Sequence, residues 1–222
     1  DLPIDNEFFK NTGDCLMGVF RLPGTPSHSP DDNDAKLARN LYMRVAQAGD
    51  PLGYYRIGYI SERGLGPWPK DMAEAREFYE KCAAADLLQC KARLGIFKEF
   101  GWAGEQEDKA GAFKIYQSCA KQGSAYCEGR LAMLYAQGPG GIKRDYVAST
   151  KHARHAAEAG DGLAAEVYAY NLYAGLGLAK PDAAEAGKWM VEAIARNGAD
   201  TLNQLQNENA AKIKEPAFWS SF

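Results

Sequence analysis

The stretch from residue 57 to residue 83 reads IGYISERGLGPWPKDMAEAREFYEKCA. An apolar residue and a small one open it (Ile57-Gly58), a glycine follows at Gly64, and Asp71 precedes a second apolar segment. A glycine after an apolar run supplies the left-handed backbone conformation that ends a helix. An aspartate ahead of the next run is typical of an N-cap, which accepts backbone N–H bonds. The stretch therefore predicts a helix A, a glycine-rich turn and a helix B.

The same landmarks return every 37 residues. Four positions of the pattern form columns: Gly64, Gly101, Gly138, Gly175; Asp71, Asp108, Asp145, Asp182; Ile57, Leu94, Leu131, Tyr168; and the small residues Gly58, Gly95, Ala132, Ala169. A fixed period of this length indicates a repeat architecture, in which each unit buries its apolar face against its neighbours. We predict an all-α fold, a right-handed α/α solenoid of antiparallel helix pairs with a 37-residue period.

The period also places the boundaries of one solenoid domain over residues 1–222. Four full repeats are expected at 50–86, 87–123, 124–160 and 161–197. Residues 1–49 form a degenerate N-terminal capping repeat with a helix B at 34–48, and 198–222 form a polar capping helix and a tail. In the first full repeat we expect helix A at 51–63 and helix B at 71–85. Glu74 and Glu185 each stand three residues after a column aspartate, which resembles a capping box.

Composition excludes several functional classes. The 222 residues carry a net charge of −3, which argues against general binding to nucleic acid phosphates. No run of about twenty apolar residues exists, so we expect no membrane-spanning segment. Because the chain starts at Asp1 and not at Met, we expect an upstream segment to have been removed. We further expect a monomer that needs no cofactor.

Four of the five cysteines occupy repeat columns. Cys82 and Cys119 share a helix B column, and Cys90 and Cys127 share a helix A column, which gives two Cys-x7-Cys pairs across short turns. We predict the disulfides Cys82–Cys90 and Cys119–Cys127, and therefore an oxidising compartment, the periplasm or the cell exterior. The alternative is that these cysteines serve as small buried side chains. Cys15 lies off the columns and is expected to be a buried thiol or to pair with another molecule.

These motifs resemble the Sel1-like repeat, a relative of the tetratricopeptide repeat. The resemblance rests on Ile57-Gly58, Gly64-Leu-Gly66, Asp71, Ala75 and the segment Phe78–Ala83, and it covers residues 34–200 well. The paired cysteines are similar to those of the cysteine-rich Sel1-like proteins of Helicobacter. The third repeat departs from the pattern, because His152 replaces the aromatic residue of the column. The resemblance specifies the architecture strongly and the function poorly; we predict a protein that binds other proteins and is not an enzyme.

Candidate catalytic and metal-binding residues are few. His28, His152 and His155 are the three histidines, and only the last two lie near each other. His152 shares its column with Phe78, Ile115 and Trp189, so we interpret it as a core or half-core residue and predict no metal site. No Ser-x-x-Lys or Gly-x-Ser-x-Gly motif appears. The competing hypothesis, penicillin binding or weak β-lactam hydrolysis as associated with the Helicobacter relatives, is testable by nitrocefin turnover.

Helix A residues are the candidates for binding, because repeat solenoids use an extended concave surface lined by one helix of each repeat. Tyrosine, arginine, phenylalanine and methionine are enriched at the cores of protein interfaces. The predicted protein-binding residues are Tyr55, Arg56, Tyr59, Arg93, Ile96, Phe100, Tyr126, Arg130, Met133, Tyr170 and Tyr173. The alternative is that the tyrosines pack between helices and that the arginines pair with Glu62 or Glu99.

Two further expectations concern binding. The turn Gly66–Lys70 places Trp68 between two prolines, either as a rigid contact at the edge or as a local packing element. Reversing the charges of Arg93 and Arg130 together is predicted to weaken partner capture without lowering the melting temperature. We predict a periplasmic or secreted adaptor whose partner is an envelope protein or a secreted toxin. In the second case the chain would be an immunity protein against a type VI secretion effector.

Overall fold

The computed structural model describes residues 32–197, which form α-helices joined by short turns. The helices are α1 Asp32–Gln47, α2 Pro51–Arg63, α3 Met72–Ala84, α4 Leu88–Phe100, α5 Lys109–Lys121, α6 Ala125–Gln137, α7 Tyr146–Glu158, α8 Gly162–Ala174 and α9 Ala183–Asn197. The all-helical solenoid prediction is confirmed, and the described part contains no strand. Predictions for Cys15, His28, the N-terminal helix A and the segment 198–222 lie outside the described residues.

Two compact units divide the chain. Helices α1 to α5 belong to the first unit, which ends at Gln122, and α6 to α9 belong to the second, which begins at Gly123. This boundary lies one residue from a predicted repeat boundary. The prediction of a single domain over 1–222 stays a prediction, and each unit is described by itself.

Each helix A ends at its column glycine in the left-handed conformation. The φ angles are 65° at Gly64, 64° at Gly101, 66° at Gly138 and 67° at Gly175. Each helix B begins after its column aspartate, whose carboxylate accepts the backbone N–H three residues later. The donors are Glu74, Gly111, Ala148 and Glu185, at 2.9, 2.7, 2.9 and 3.0 Å. The helix ends and N-caps predicted from the glycine and aspartate columns are therefore confirmed.

The predicted capping boxes are half right: each aspartate caps its helix, but the glutamate does not accept the N-cap backbone N–H. Asp71 caps α3, but the Glu74 carboxylate accepts hydrogen bonds from Ser61 Oγ, at 2.6 Å, and from Arg39. The Glu185 carboxylate likewise accepts from Trp189 Nε1, at 3.0 Å. The Glu74 carboxylate is thus held by donors on neighbouring helices, and the Glu185 carboxylate by a donor one turn further along its own helix.

Buried apolar residues fill the space between consecutive helices. In the first unit, Tyr42, Ile57 and Phe78 are core residues of one cluster, and Tyr79 and Phe97 of the next. In the second unit most core residues are alanines, including Ala132, Ala153 and Ala165, packed with Tyr168 and Leu172. Small side chains at these positions allow close approach of neighbouring helices.

Cys82 and Cys90 form a disulfide that joins the end of α3 to the start of α4, with a Cα–Cα distance of 5.9 Å. This predicted bridge is confirmed. The second predicted bridge, Cys119–Cys127, stays a prediction; both side chains are fully buried.

Within residues 32–197, no helix combines the length and the apolar character needed to cross a membrane.

Candidate protein-binding surface

The predicted binding residues differ widely in exposure. Phe100 and Tyr170 are exposed, at 46% and 40%, and Tyr55, Arg56, Tyr59, Arg93, Tyr126, Met133 and Tyr173 are half-buried. Ile96 and Arg130 are buried, at 5% and 8% exposure. For these two the expectation of an accessible side chain is wrong, because each is almost fully buried.

In the first unit, α2 and α4 bring the predicted residues together. Arg93 from α4 lies over the ring of Tyr59 from α2, with 5.8 Å from the guanidinium carbon to the ring centroid. Arg63 lies over the same ring at 5.6 Å. Both distances fall within the range of a cation–π contact. We call the surface formed by Tyr55, Arg56, Tyr59, Arg93 and Phe100 the α2–α4 face.

The buried Glu62 holds Arg93 of this face through an ion pair. Arg93 Nη1 lies 3.3 Å from Glu62 Oε1, and Tyr79 OH donates to Glu62 Oε2 at 2.8 Å. Glu62 is only 5% exposed. A buried carboxylate of this kind requires charged and hydrogen-bonding partners. The alternative in which Arg93 pairs with Glu62 is therefore confirmed, and it fixes the arginine beside Tyr59.

Tyr79 is fully buried beneath this network. Burial, together with the neighbouring Glu62 carboxylate, raises the pKa of Tyr79 far above its ordinary value. One repeat later, Tyr116 OH donates to the buried Glu99 carboxylate, also at 2.8 Å. Because Glu62 and Glu99 are 37 residues apart, as are Tyr79 and Tyr116, the period itself could have revealed this paired network, which the sequence reasoning missed.

Phe100, the last residue of α4, also belongs to the α2–α4 face. Its ring stacks on Trp102, with centroids 5.5 Å apart and an interplanar angle of 24°. Trp102 in turn contacts the buried Phe97 edge to face at 5.6 Å, and Lys70 Nζ lies 5.9 Å from the Trp102 centroid. Phe100 is thus an exposed aromatic side chain on a rigid base, which costs little conformational entropy to bury in a complex.

The turn Gly66–Lys70 serves local packing. Trp68 packs on the cluster that contains Ala35 and Tyr42, and the Arg39 guanidinium lies over its ring at 4.9 Å. A Cβ on Gly66 would meet the Ala35 Cβ at 2.4 Å, so this turn is seated directly on α1. The packing alternative for Trp68 is therefore confirmed.

In the second unit, Arg130, Met133 and Tyr173 make contacts of a different kind. Arg130 Nη1 lies 3.8 Å from Met133 Sδ, and Tyr173 packs on the core next to Trp189. The glutamate and tyrosine columns of the first unit are occupied here by Ala136 and Ala153 in one repeat and by Tyr173 and Met190 in the next. No counterpart of the Glu62 anchor is therefore available from these columns.

The two histidines of α7 share one carboxylate. His152 Nδ1 lies 3.0 Å from Glu128 Oε2, and His155 Nδ1 lies 3.1 Å from Glu128 Oε1. The His152 ring also stacks on Tyr135 at 5.6 Å, as expected for a half-core residue. Across residues 32–197, no group of three or more histidine, cysteine, aspartate or glutamate side chains is arranged to hold a metal ion.

Solved structures of other proteins share this architecture. The chain is similar to a Sel1 repeat protein from Oxalobacter formigenes, with 24% identity and a TM-score of 0.66 over 89% of this chain and 73% of that one. It is similar to c5321, a protective antigen of uropathogenic Escherichia coli with an SLR fold, with 23% identity and a TM-score of 0.66. That match covers 91% of this chain and 41% of the antigen.

A third structure, PA5086 of Pseudomonas aeruginosa, matches with 13% identity and a TM-score of 0.53 over 88% of this chain and 83% of that one. At these identities the likeness shows the fold alone. No curated protein matches the chain. The family model described as Sel1 repeat matches residues 51–87, 89–124, 125–161 and 163–198. The chain therefore belongs to the Sel1 repeat family.

Proposed function

We propose that this Sel1 repeat protein is a non-enzymatic adaptor that binds a protein partner on the α2–α4 face. The observation that carries the proposal is the anchored pair of Arg93 and Tyr59, held in place by the buried Glu62. Arginine and tyrosine fixed in this way are the side chains that dominate binding energy at protein interfaces. Sel1 repeats typically mediate protein interactions, which agrees with this role.

The exposed edge of the face supports the same role. Phe100, at 46% exposure, and the half-buried Tyr55 and Tyr59 offer aromatic surface; neighbouring rings orient Phe100 and Tyr55, and two arginines flank Tyr59. Tyr55 lies 6.0 Å from the buried Tyr79 ring, and Arg56 lies 5.9 Å from the Tyr55 centroid. Preorganised aromatic and arginine side chains reduce the entropy lost on binding.

Site-specific crosslinking in the native host tests this surface. A benzoylphenylalanine in place of Tyr59 should crosslink one partner protein, whereas the same residue in place of the exposed Glu77 on α3 should not. In the purified pair, Tyr59→Ala should weaken binding at least about tenfold, because it removes a central aromatic contact. Equal crosslinking from both positions, or unchanged affinity of the Tyr59→Ala variant, would place the binding surface elsewhere.

We further propose that the protein acts in the periplasm or outside the cell. The Cys82–Cys90 disulfide supports this location, because such bonds persist in oxidising compartments. Fractionation of the native host should recover the chain with periplasmic or secreted markers, and recovery with cytoplasmic markers would contradict the proposal.

Neutralising a secreted toxin, such as a type VI secretion effector, is the narrower form of the proposal and rests on the family resemblance. The crosslinked partner identifies which form applies. A toxin whose growth inhibition is relieved by the wild-type chain, and not by the Tyr59→Ala variant, would support an immunity protein. An envelope protein as partner would support the general adaptor role and remove the narrower one.

A further inference from the structure

An open groove with a volume of about 410 Å³ lies on the second unit, along α7. Its floor follows one stripe of the helix, from Val147 through Lys151 to Glu158. Tyr168 of α8 and the loop residues Gly177 and Leu178 form the opposite wall. We call it the α7 groove. It belongs to a helix B, whereas the α2–α4 face is built on helices A.

The loop wall is held firmly against α7. Thr150 Oγ1 donates to the backbone oxygen of Leu176 at 2.8 Å. Gly177 has a φ of 68°, and a Cβ on it would meet the Tyr146 backbone oxygen at 2.2 Å. Only glycine permits this approach, so the groove is a built feature of the fold.

The apolar end of the groove is specific to this part of the chain. At the column of Val147 the other repeats carry alanine, at Ala73, Ala110 and Ala184. At the column of Leu178 they carry Pro67, Gly104 and Gly141. Val147 is 66% exposed and Leu178 36% exposed. Two larger apolar side chains thus stand exposed where the repeat pattern places small residues or proline, as is common at interaction sites.

The middle of the groove carries the charged side chains of α7. Arg154 Nε pairs with Glu158 Oε1 at 2.8 Å, and His155 contacts Glu128. Lys151 is exposed and forms no ion pair with any residue in the range 32–197. Lys151 lies one helical turn after Val147, a rise of about 6 Å. The groove therefore presents an apolar site and, one turn away, a cation.

We propose that the α7 groove binds an extended peptide segment of a protein partner, with an apolar side chain between Val147 and Leu178 and an acidic side chain two residues away on Lys151. In an extended chain, residues two apart point to the same side about 6.6–7 Å from each other. This spacing matches the rise between Val147 and Lys151. The carboxylate complements the lysine ammonium, and the proposal does not depend on the α2–α4 face.

Peptide selection on the intact chain tests the proposal. A phage-displayed library of random ten-residue peptides is selected on the 222-residue protein with its disulfide intact. Enriched sequences should share an apolar residue followed or preceded, two positions away, by Asp or Glu. A fluorescein-labelled copy of the most enriched peptide is then titrated by fluorescence anisotropy. Failure to enrich this pattern would overturn the proposal.

Variants locate the bound peptide. Lys151→Glu should weaken binding at least about tenfold by repelling the carboxylate, and Val147→Ala, the residue of the other repeats, about three- to tenfold by removing apolar contact. The matched control is Lys114→Glu, which reverses the same column lysine on α5 and should leave affinity unchanged. Loss of binding in Tyr59→Ala with none in Lys151→Glu would assign the peptide to the α2–α4 face and refute the groove.

Discussion

Gly58 and Gly95 lie in helix interiors directly under tyrosine rings. A Cβ on Gly58 would meet Tyr79 Cε1 at 2.7 Å, and a Cβ on Gly95 would meet Tyr116 Cε1 at 2.5 Å. Where the facing residue is Ala153 or Met190 instead, the small column holds alanine, at Ala132 and Ala169. The two columns are therefore coupled in volume, a relation visible only once the helices are packed.

This coupling predicts that Gly95→Ala destabilises the protein by about 1–3 kcal/mol through overpacking, although alanine favours an isolated helix by about 1 kcal/mol. Denaturation by urea measures the change. In the double variant Gly95→Ala/Tyr116→Ala, which copies the Ala132/Ala153 pair, the two losses should sum to more than the measured loss. Strict additivity would contradict the packing argument.

Tyr79 carries a prediction about alkaline pH. Because its pKa is raised on folding, its contribution to stability is present below the unfolded value near pH 10 and is lost as pH rises above it. Above pH 10, the wild type should lose up to about 1.4 kcal/mol of stability per pH unit more than Tyr79→Phe. Parallel stability curves for the two proteins between pH 9 and 11 would argue against a buried, protonated Tyr79. At neutral pH, Tyr79→Phe should cost about 1.5–3 kcal/mol, because Glu62 loses a donor.

At the scale of elements, the α3–α4 hairpin is closed by the Cys82–Cys90 bond. Cross-linking so short a loop stabilises by about 2–3 kcal/mol in the chain-entropy description. Reduction should therefore lower the free energy of unfolding by about this amount, and the Cys82→Ala/Cys90→Ala variant should lose its sensitivity to reductant. A reductant effect that persists in this variant would indicate another bridge.

Alkylation in urea without reductant distinguishes the two cysteine pairs. The structure predicts that Cys82 and Cys90 are blocked, and the labelling of Cys119 and Cys127 tests the second predicted bridge. Mass spectrometry of the digested chain shows which peptides carry the label. If all four cysteines are blocked, the second bridge predicted from the repeat spacing forms in the protein.

At the scale of the whole molecule, we expect a substitution of Arg93 to change both partner binding and stability. Sequence reasoning predicted that reversing the charges of Arg93 and Arg130 would leave the melting temperature unchanged. The structure gives a different expectation for Arg93, since Arg93→Glu would place a second carboxylate beside the buried Glu62. We expect this variant to lose several degrees of melting temperature as well as partner binding.

Phe100→Ala gives the matched comparison, because Phe100 is exposed and stacks on Trp102 from outside. It should weaken partner binding with a change in stability within about 1 kcal/mol. Differential scanning calorimetry and titration with the crosslinked partner measure the two effects. A Phe100→Ala variant that binds normally would restrict the contact surface to the region around Tyr59.

The sequence by itself determined the helices and where they begin and end. Gly64 stops α2 and Asp71 caps α3 through bonds that span only a few residues, so a 37-residue period reveals them directly. The Cys82–Cys90 bridge was predictable for the same reason, because it spans eight residues across one turn.

Only the tertiary structure decided which of the predicted binding residues are accessible to a partner. The pairing of Arg93 with Glu62 joins residues 31 apart, and the Thr150 bond to the Leu176 backbone that holds the α7 groove joins residues 26 apart. The burial of Ile96 and Arg130 is likewise set by neighbouring helices. A repeat column fixes the position of a residue within its helix, but exposure depends on the volumes and charges of residues on adjacent helices, which differ from one repeat to the next.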